Sequence, residues 1–215
     1  MKKAFTLVEL LSVLAILALL MAILFPVLSN SRKSSYKANC QSNLHTVGQT
    51  VRLYVDDYDG SWPDSEVWMT WNRADTSFPK SARGALPRLM GCPSVTVPED
   101  RKDYIEGRGD IAGYASNGMI GGRTDGKFIY PATTVTFLDT ALDVLSTFGP
   151  DPYMDTPWGP YPYNVEKGFE RHNGGANYLF YDGHVKWLRK EQVSPSNVSN
   201  DGTKPSFALD GKTFP

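Results

Sequence analysis

The chain has 215 residues, 41% hydrophobic and 21% charged, which leaves room for one membrane-length helix and one globular domain of medium size. Its net charge of -1, its pI of about 6.3 and the lack of Lys and Arg clusters among aromatic residues exclude a typical nucleic-acid-binding domain. The 19 Gly and 15 Pro residues predict a loop-rich domain with short strands.

The N-terminal stretch is a long apolar segment that follows two lysines. From Leu10 to Leu28 only Ser12 is polar, and this span approaches the about 20 residues that cross a bilayer core as a helix. Glu9 lies within the hydrophobic segment, where an ionisable side chain is costly and marks a functional position. A secretory signal peptide would need a small-x-small cleavage site after the core, and residues 25–32 contain no convincing one.

The residues from Lys2 to Leu10, KKAFTLVEL, resemble the N-terminal processing and methylation motif of type IV pilins and type II secretion pseudopilins. The resemblance implies that a prepilin peptidase removes residues 1–4 and that the new amine of Phe5 is methylated. It also implies that the apolar helix is held first in the inner membrane and then polymerises into a filament core.

Glu9 falls at the position where this family carries its glutamate. A carboxylate buried in a helical bundle is destabilising unless a cation accompanies it, and the freed amine of Phe5 in a neighbouring subunit would be such a cation. The alternative is an idle Glu9 at the membrane interface. The chain departs from the family at Ala4, where Gly is usual, so the peptidase would have to accept the next smallest residue.

The helix is expected to continue beyond the apolar segment, from about Phe5 to Tyr58. Apolar residues recur there at steps of three and four, which is typical of an amphipathic helix with one buried face. We expect Pro26 to kink or locally melt the helix, and Gly60 and Pro63 to end it. The predicted buried stripe consists of Tyr36, Cys40, Leu44, Val47, Val51, Tyr54 and Tyr58.

An acidic segment follows the helix. Asp57, Asp59 and Asp64 offer oxygen ligands for calcium, although the spacing of an EF-hand loop is not met. The alternative is a solvated turn at the end of the helix. Nearby aromatic residues form either a sugar-binding platform or part of the core, and these are Trp62, Trp68 and Trp71.

Cys40 and Cys92 are the only cysteines. An even count in an exported domain favours a disulfide, which would close about 50 residues and stabilise the domain by roughly 4 kcal/mol. Two separate buried thiols are the alternative.

Two segments of the second half predict strands. Thr133–Asp139 is rich in β-branched residues, and Asp182-Gly183 between two alternating runs predicts a hairpin with a type I′ turn. If Tyr181 pairs with His184, then Phe180 opposes Val185 and Tyr178 opposes Trp187. Those four apolar residues would face the long helix. Residues 114–119 are a further ordered piece, and 149–163 is predicted to be a loop.

The same region resembles the processing-associated His-x9-Asp-Gly signature at the C-terminal end of many bacterial pilin-like proteins. His172, Asp182 and Gly183 match it, and no catalytic activity comes with the match. Ten extended residues span roughly 30 Å, so His172 and Asp182 are not expected to touch. We expect Asp182 and Gly183 to shape the turn and His172 to hydrogen-bond a loop at the hairpin's other end. Further landmarks of this resemblance are CQSNL at 40–44, DDYDG at 56–60 and CPS at 92–94.

The whole chain predicts an α+β pilin fold, in which a long N-terminal helix packs on a small antiparallel sheet. No nucleophile elbow, Walker loop, HExxH or His-x3-His spacing occurs, so we expect neither an enzyme nor a cofactor, with calcium as the one exception to test. The expected function is a structural subunit of a type IV pilus or a type II secretion-like pseudopilus. The alternatives are a membrane-anchored or exported module that binds sugar or calcium, and an anchored hydrolase.

The resemblance also implies partners, a location and boundaries. The partners would be copies of the chain, other pilin-like subunits, the prepilin peptidase and an assembly platform in the inner membrane. The prepilin would be a single-pass inner-membrane protein, with its head periplasmic or extracellular in a filament. The expected boundaries are a leader at 1–4, a transmembrane and filament-core helix at 5–28, an amphipathic helix at 29–58, a globular head at 59–193 and a polar tail at 194–215.

Overall fold

One helix, α1 (Leu7–Asp57), dominates the N-terminal quarter of the chain. The structure is a computed structural model that describes residues 6–63, 92–94, 114–117, 120–124, 128–139, 146–148, 171–194 and 198–209. The helix runs without interruption through Pro26, so the predicted local melting is wrong. The helical hydrogen bonds on either side are enough to carry the chain past the single N–H that proline lacks.

The chain divides into two units, Met1–Ser35 and Tyr36–Pro215. In the first unit, every Leu, Ile, Val, Met and Phe side chain from Leu7 to Leu28 is between 45% and 75% exposed. A helix that is apolar on all sides has no single face to bury against a domain, and this pattern is typical of a membrane span. By length and composition, α1 is able to cross a membrane.

In the second unit, α1 buries one face. Its buried residues are Cys40, Leu44, Val47, Thr50, Val51, Tyr54 and Val55, at the steps of three and four that the sequence predicts. The predicted stripe is too long at its two ends, because Tyr36 and Tyr58 are 37% and 40% exposed. Tyr58 instead stacks on Tyr54, with ring centroids 4.1 Å apart.

The strands are β1 (Tyr114–Asn117), β2 (Val135–Asp139), β3 (Ser146–Phe148), β4 (Ala176–Phe180) and β5 (Val185–Leu188). They form one five-stranded sheet in the order β3-β1-β2-β4-β5. The α+β class with an antiparallel sheet is confirmed for β1, β2, β4 and β5, while β3 joins the edge parallel to β1.

The central strands β2 and β4 are buried along their whole length because both sheet faces are covered. On one face, Phe137 and Leu179 join the buried face of α1 in one hydrophobic cluster. The approach is close at Gly48, where an added Cβ would lie 3.0 Å from Leu179 Cδ1. On the other face, Tyr178 and Phe180 belong to a second cluster.

The hairpin between β4 and β5 differs by one residue from the predicted register. Leu179, not Phe180, opposes Val185, and Asn177, not Tyr178, opposes Trp187. The turn has three residues, since Gly183 N–H donates to Phe180 O and Phe180 N–H donates to His184 O, both at 2.9 Å. Gly183, at φ 92°, takes the left-handed position that such a turn needs. As a result, the two large aromatic residues of β4 point away from α1.

The C-terminal segment covers that second face. Within the predicted polar tail, Phe207, Ala208 and Leu209 are buried, and Phe207 packs with Tyr178 at a ring-centroid distance of 6.2 Å. The Asn117 side-chain amide donates to Phe207 O at 2.9 Å and to Val135 O at 2.8 Å, which ties this segment to two strands. Residues 206–209 are therefore part of the core.

Candidate functional site

The N-terminus of α1 is closed by Thr6 and Glu9. The backbone N–H and the hydroxyl of Thr6 donate to Glu9 Oε2 at 2.9 and 2.7 Å, and Glu9 N–H lies 3.3 Å from Thr6 Oγ1. This reciprocal pair is a capping box, with Thr6 as N-cap and Glu9 three residues later. The Thr-x-x-Glu spacing from Thr6 to Glu9 is the sequence signal that indicates such a box.

The cap has a consequence for the charge of Glu9. The positive end of the helix dipole favours a carboxylate in the first turn, so the ionised side chain has a local stabilising partner. Glu9 is thus held at the tip of α1 with its carboxylate against Thr6. Ala4 and Phe5, the residues on either side of the predicted cleavage point, lie outside the described residues.

A second candidate site lies in the head, where four distant segments meet. Cys40 of α1 and Cys92 form a disulfide across 52 residues, with their Cα atoms 5.5 Å apart. Both residues are buried, at 0% and 4% exposure. The bridge joins α1 to the segment 92–94, and by loop length it stabilises the head by roughly 4 kcal/mol in the chain-entropy account.

His172 and Asp139 lie against this disulfide. His172 Nε2 is 3.2 Å from Asp139 Oδ2 and 3.7 Å from Cys92 Sγ, and both side chains are buried. Asp139 Oδ2 also accepts from the backbone N–H of Asn177 at 2.7 Å. Asp139 Oδ1 has no hydrogen-bond partner although it is buried.

The backbone of His172 is held at the far end of the hairpin. Its N–H donates to Gly175 O at 2.9 Å, and its carbonyl accepts from Trp187 Nε1 at 2.8 Å. Gly175 is closely packed, because an added Cβ would lie 2.6 Å from Leu188 O and from the Trp187 ring. The hairpin therefore fixes the direction in which the imidazole enters the core.

Tyr114 lies near the same cluster. It pairs with Asp139 across β1 and β2, and its hydroxyl accepts from Asn43 Nδ2 of α1 at 3.2 Å. Burial, and next the negative charge of Asp139, raise the pKa of Tyr114 above its usual value.

Asp182 and Gly183, the other two residues of the expected His-x9-Asp-Gly pattern, lie at the opposite end of the hairpin. Asp182 Oδ1 accepts from His184 N–H at 3.2 Å and lies 2.6 Å from His184 Nδ1, on the surface. Asp182 and Gly183 shape the turn, while His172 enters the core beside the disulfide. The residues that resemble this signature thus occupy two separate structural positions, and His172 does not contact Asp182 in the described contacts.

The residues predicted to bind calcium or sugar lie partly within the described structure and partly outside it. Asp57 ends α1 and Asp59 occupies a left-handed turn at φ 53°, while Asp64 lies outside the described residues. Trp62 is a core residue, since it is 6% exposed and stacks on Tyr181 at 4.9 Å. It therefore offers no open platform for a sugar, and Trp68 and Trp71 also lie outside the described residues.

An open cavity of about 740 Å³ adjoins the hairpin turn. One wall belongs to α1, from His45 to Arg52, and the other to β4 and the turn, from Leu179 to His184. Its floor is made largely of apolar core residues, so it is a surface depression between helix and hairpin. Its walls carry the exposed Asp182–His184 pair, which is held by an internal hydrogen bond.

Comparisons with known proteins support the N-terminal interpretation. Residues 1–25 match the prokaryotic N-terminal methylation motif. The chain is also similar to the ComG operon protein 3 homolog of Bacillus licheniformis, with 27% identity over 93 residues that make up 43% of this chain and 84% of that protein. No solved structure gives a significant match. Together with the exposed apolar helix, which is able to span a membrane, the methylation motif and this relative support a type IV pilin-like, membrane-anchored protein.

Proposed function

We propose that the chain is a structural subunit of a type IV pilus or a type II secretion-like pseudopilus, cleaved between Ala4 and Phe5 and polymerised through α1. The observation that carries this proposal is the exposed apolar half of α1, which overlaps the match to the methylation motif at residues 1–25. A surface of that kind is stable only in lipid or against other helices.

Transfer of the apolar half of α1 from the membrane to a filament core is energetically feasible. Lipid tails and helix surfaces are similarly apolar, so moving Leu7–Leu28 from a bilayer to a helical bundle costs little hydrophobic free energy. Contacts between helices and paired polar groups then decide whether the bundle forms. Glu9 is the only ionisable residue between Leu7 and Leu28, which makes it the position where pairing matters most.

The pairing partner is the methylated amine of Phe5 in an adjacent subunit. Cleavage after Ala4 creates a positive amine one helical turn from a carboxylate that is already ordered by Thr6. In a water-free bundle such a pair is tolerated, whereas either charge alone is strongly destabilising. The pair between Glu9 and the Phe5 amine thus fixes the axial position of each incoming subunit relative to its neighbour.

In this proposal the head forms the outer surface of the filament and catalyses no reaction. Copies of the chain and other pilin-like subunits are its direct partners, and the peptidase and an inner-membrane assembly platform act on the prepilin before assembly. The head, with its disulfide, lies in the periplasm or outside the cell. The cross-link suits an oxidising compartment.

The test is the mass of the mature N-terminus of the chain purified from its own membrane. We expect a chain that begins at Phe5 and carries one added methyl group. An intact Met1, or a start beyond Leu28, would refute processing as a pilin. The matched control is Ala4→Gly, which carries the residue usual in the family and should be processed at least as fully.

A further inference from the structure

We propose that Cys40, Cys92, His172 and Asp139 form a tetrahedral Zn²⁺ site in the reduced protein, which the Cys40–Cys92 disulfide replaces on oxidation. The site is independent of filament assembly and does not rest on it. Zn²⁺ binds thiolate, imidazole and carboxylate ligands, and four-coordinate sites built from these donors are structural.

The four candidate ligand atoms already lie close together in the disulfide-bonded structure. One ligand atom from each of the four residues lies within 4.8 Å of all the others, and all four residues are buried. Among the described residues, this is the one group of three or more His, Cys, Asp and Glu side chains that converges in this way. A buried carboxylate and imidazole are normally satisfied by protein partners, yet Asp139 Oδ1 has none.

The distances agree with a tetrahedron around zinc. With Zn–S of about 2.3 Å and Zn–N and Zn–O of about 2.0 Å, the edges of a tetrahedron are about 3.5 Å for S···N and about 3.3 Å for N···O. Cys92 Sγ and His172 Nε2 are 3.7 Å apart, and His172 Nε2 and Asp139 Oδ2 are 3.2 Å apart. The two sulfurs, which are bonded in the disulfide, would separate to about 3.8 Å around the metal. The remaining donor pairs lie within 4.8 Å of one another and need only small side-chain shifts to reach the edges of the tetrahedron.

The surroundings also suit a metal site. The backbone N–H of Asn177 orients the Asp139 carboxylate, and the backbone contacts of His172 with Gly175 and Trp187 hold the ring position. Outer contacts of this kind fix ligands in known metal sites. The cluster lies in the core between α1 and the sheet, so water is excluded from the metal.

The two states interconvert with balanced chemistry. Reduction by a dithiol breaks the Cys40–Cys92 bond, adds two electrons and two protons, and converts the reductant to its own disulfide. Zn²⁺ then displaces the two thiol protons and binds both thiolates. In reverse, a disulfide oxidant accepts two electrons from the thiolates, takes up two protons as two thiols, and releases Zn²⁺ as the protein disulfide forms. A newly made chain, whose thiols are reduced, would thus hold its head together with zinc before it is oxidised.

The experiment uses the full chain in detergent micelles, reduced by a phosphine under nitrogen and titrated with Co²⁺ and then Zn²⁺. We expect one Co²⁺ per chain, with the intense visible bands of tetrahedral cobalt and a sulfur-to-cobalt charge-transfer band, and full displacement by Zn²⁺. The unreduced chain should show neither band. Weak octahedral bands, or no binding by the reduced chain, would overturn the proposal.

Variants separate this site from unspecific binding. His172→Ala and Asp139→Asn should each weaken Zn²⁺ binding by more than about 100-fold in competition with a chromophoric chelator, since outer-sphere changes alone cost about 10 to 100-fold. The control is His184→Ala, which removes the exposed His–Asp pair of the hairpin and should bind normally. Equal affinity in all three variants would refute the site. If His172→Ala fails to fold, X-ray absorption of the zinc-loaded wild type decides, because a first shell without two sulfurs excludes the proposal.

Discussion

Replacing Glu9 is the most informative perturbation of assembly, because this residue has two roles that different substitutions separate. Its carboxylate closes the capping box with Thr6 and would also pair with the Phe5 amine of a neighbour. Glu9→Gln keeps a side chain that completes a capping box but removes the charge. Thr6→Ala keeps the charge but removes the cap, and Glu9→Ala removes both.

The expected magnitudes differ enough to distinguish the roles. Removing one partner of a buried ion pair costs about 3–5 kcal/mol, which corresponds to a loss of about 100 to 4,000-fold in subunit affinity. Losing an N-cap costs about 1 kcal/mol, or roughly fivefold. We therefore expect Glu9→Gln to assemble nearly as poorly as Glu9→Ala, and Thr6→Ala to assemble almost as well as the wild type.

The assay compares sheared filaments with membrane-retained subunit by immunoblot, at matched expression. The total membrane level is the control for insertion and stability, and it should be equal for all four chains. If Glu9→Gln polymerises like the wild type while Thr6→Ala does not, the cap accounts for Glu9 and the ion-pair mechanism is wrong.

Three further predictions concern the head. Gly175→Ala should destabilise the head by several kcal/mol, because the new Cβ would meet Leu188 O and the Trp187 ring at 2.6 Å. The control is Gly174→Ala, whose Cβ would enter open space, so that only the φ of 78° opposes it, at a cost of about 1 kcal/mol. Equal unfolding midpoints of the two variants in urea would contradict this reasoning. Phe207→Ala should cost about 3–5 kcal/mol in the same assay if the C-terminal segment is core, whereas a polar tail would lose almost nothing. Because the pKa of Tyr114 is raised on folding, the neutral phenol stabilises the head below the usual tyrosine pKa of about 10 and loses that contribution as pH rises above it. Tyr114→Phe should therefore lose less stability than the wild type between about pH 9 and pH 11 in thermal melts, and identical slopes would argue against a buried neutral phenol.

The spacing of apolar residues in the sequence predicts the buried face of α1 correctly over most of its length. Steps of three and four predict the buried face of α1 from Cys40 to Tyr54, because a helix places such residues on one side regardless of its partner. The same reasoning overextends the stripe to Tyr36 and Tyr58, since whether a terminal residue is covered depends on how far the sheet reaches.

In the hairpin, the local sequence does not decide between a two-residue and a three-residue loop. Asp182-Gly183 signals a turn correctly, but both a two-residue and a three-residue loop place Gly at a left-handed position. A slip of one residue reverses the side-chain faces, so Tyr178 and Phe180 point toward Phe207 instead of α1. The burial of Phe207 makes that register favourable, and no local signal in a Pro- and Ser-rich segment predicts it.

The sequence by itself determined the apolar segment, its motif and the position of Glu9, because each depends on residues within a few helical turns of one another. Only the tertiary structure decided what His172 does. It brings together residues from α1, the segment 92–94, β2 and the end of a hairpin, up to 132 positions apart in the chain from Cys40 to His172. Spacing rules describe ligands that share one element, whereas this cluster exists because the sheet packs on α1 and the Cys40–Cys92 bridge lies at that contact.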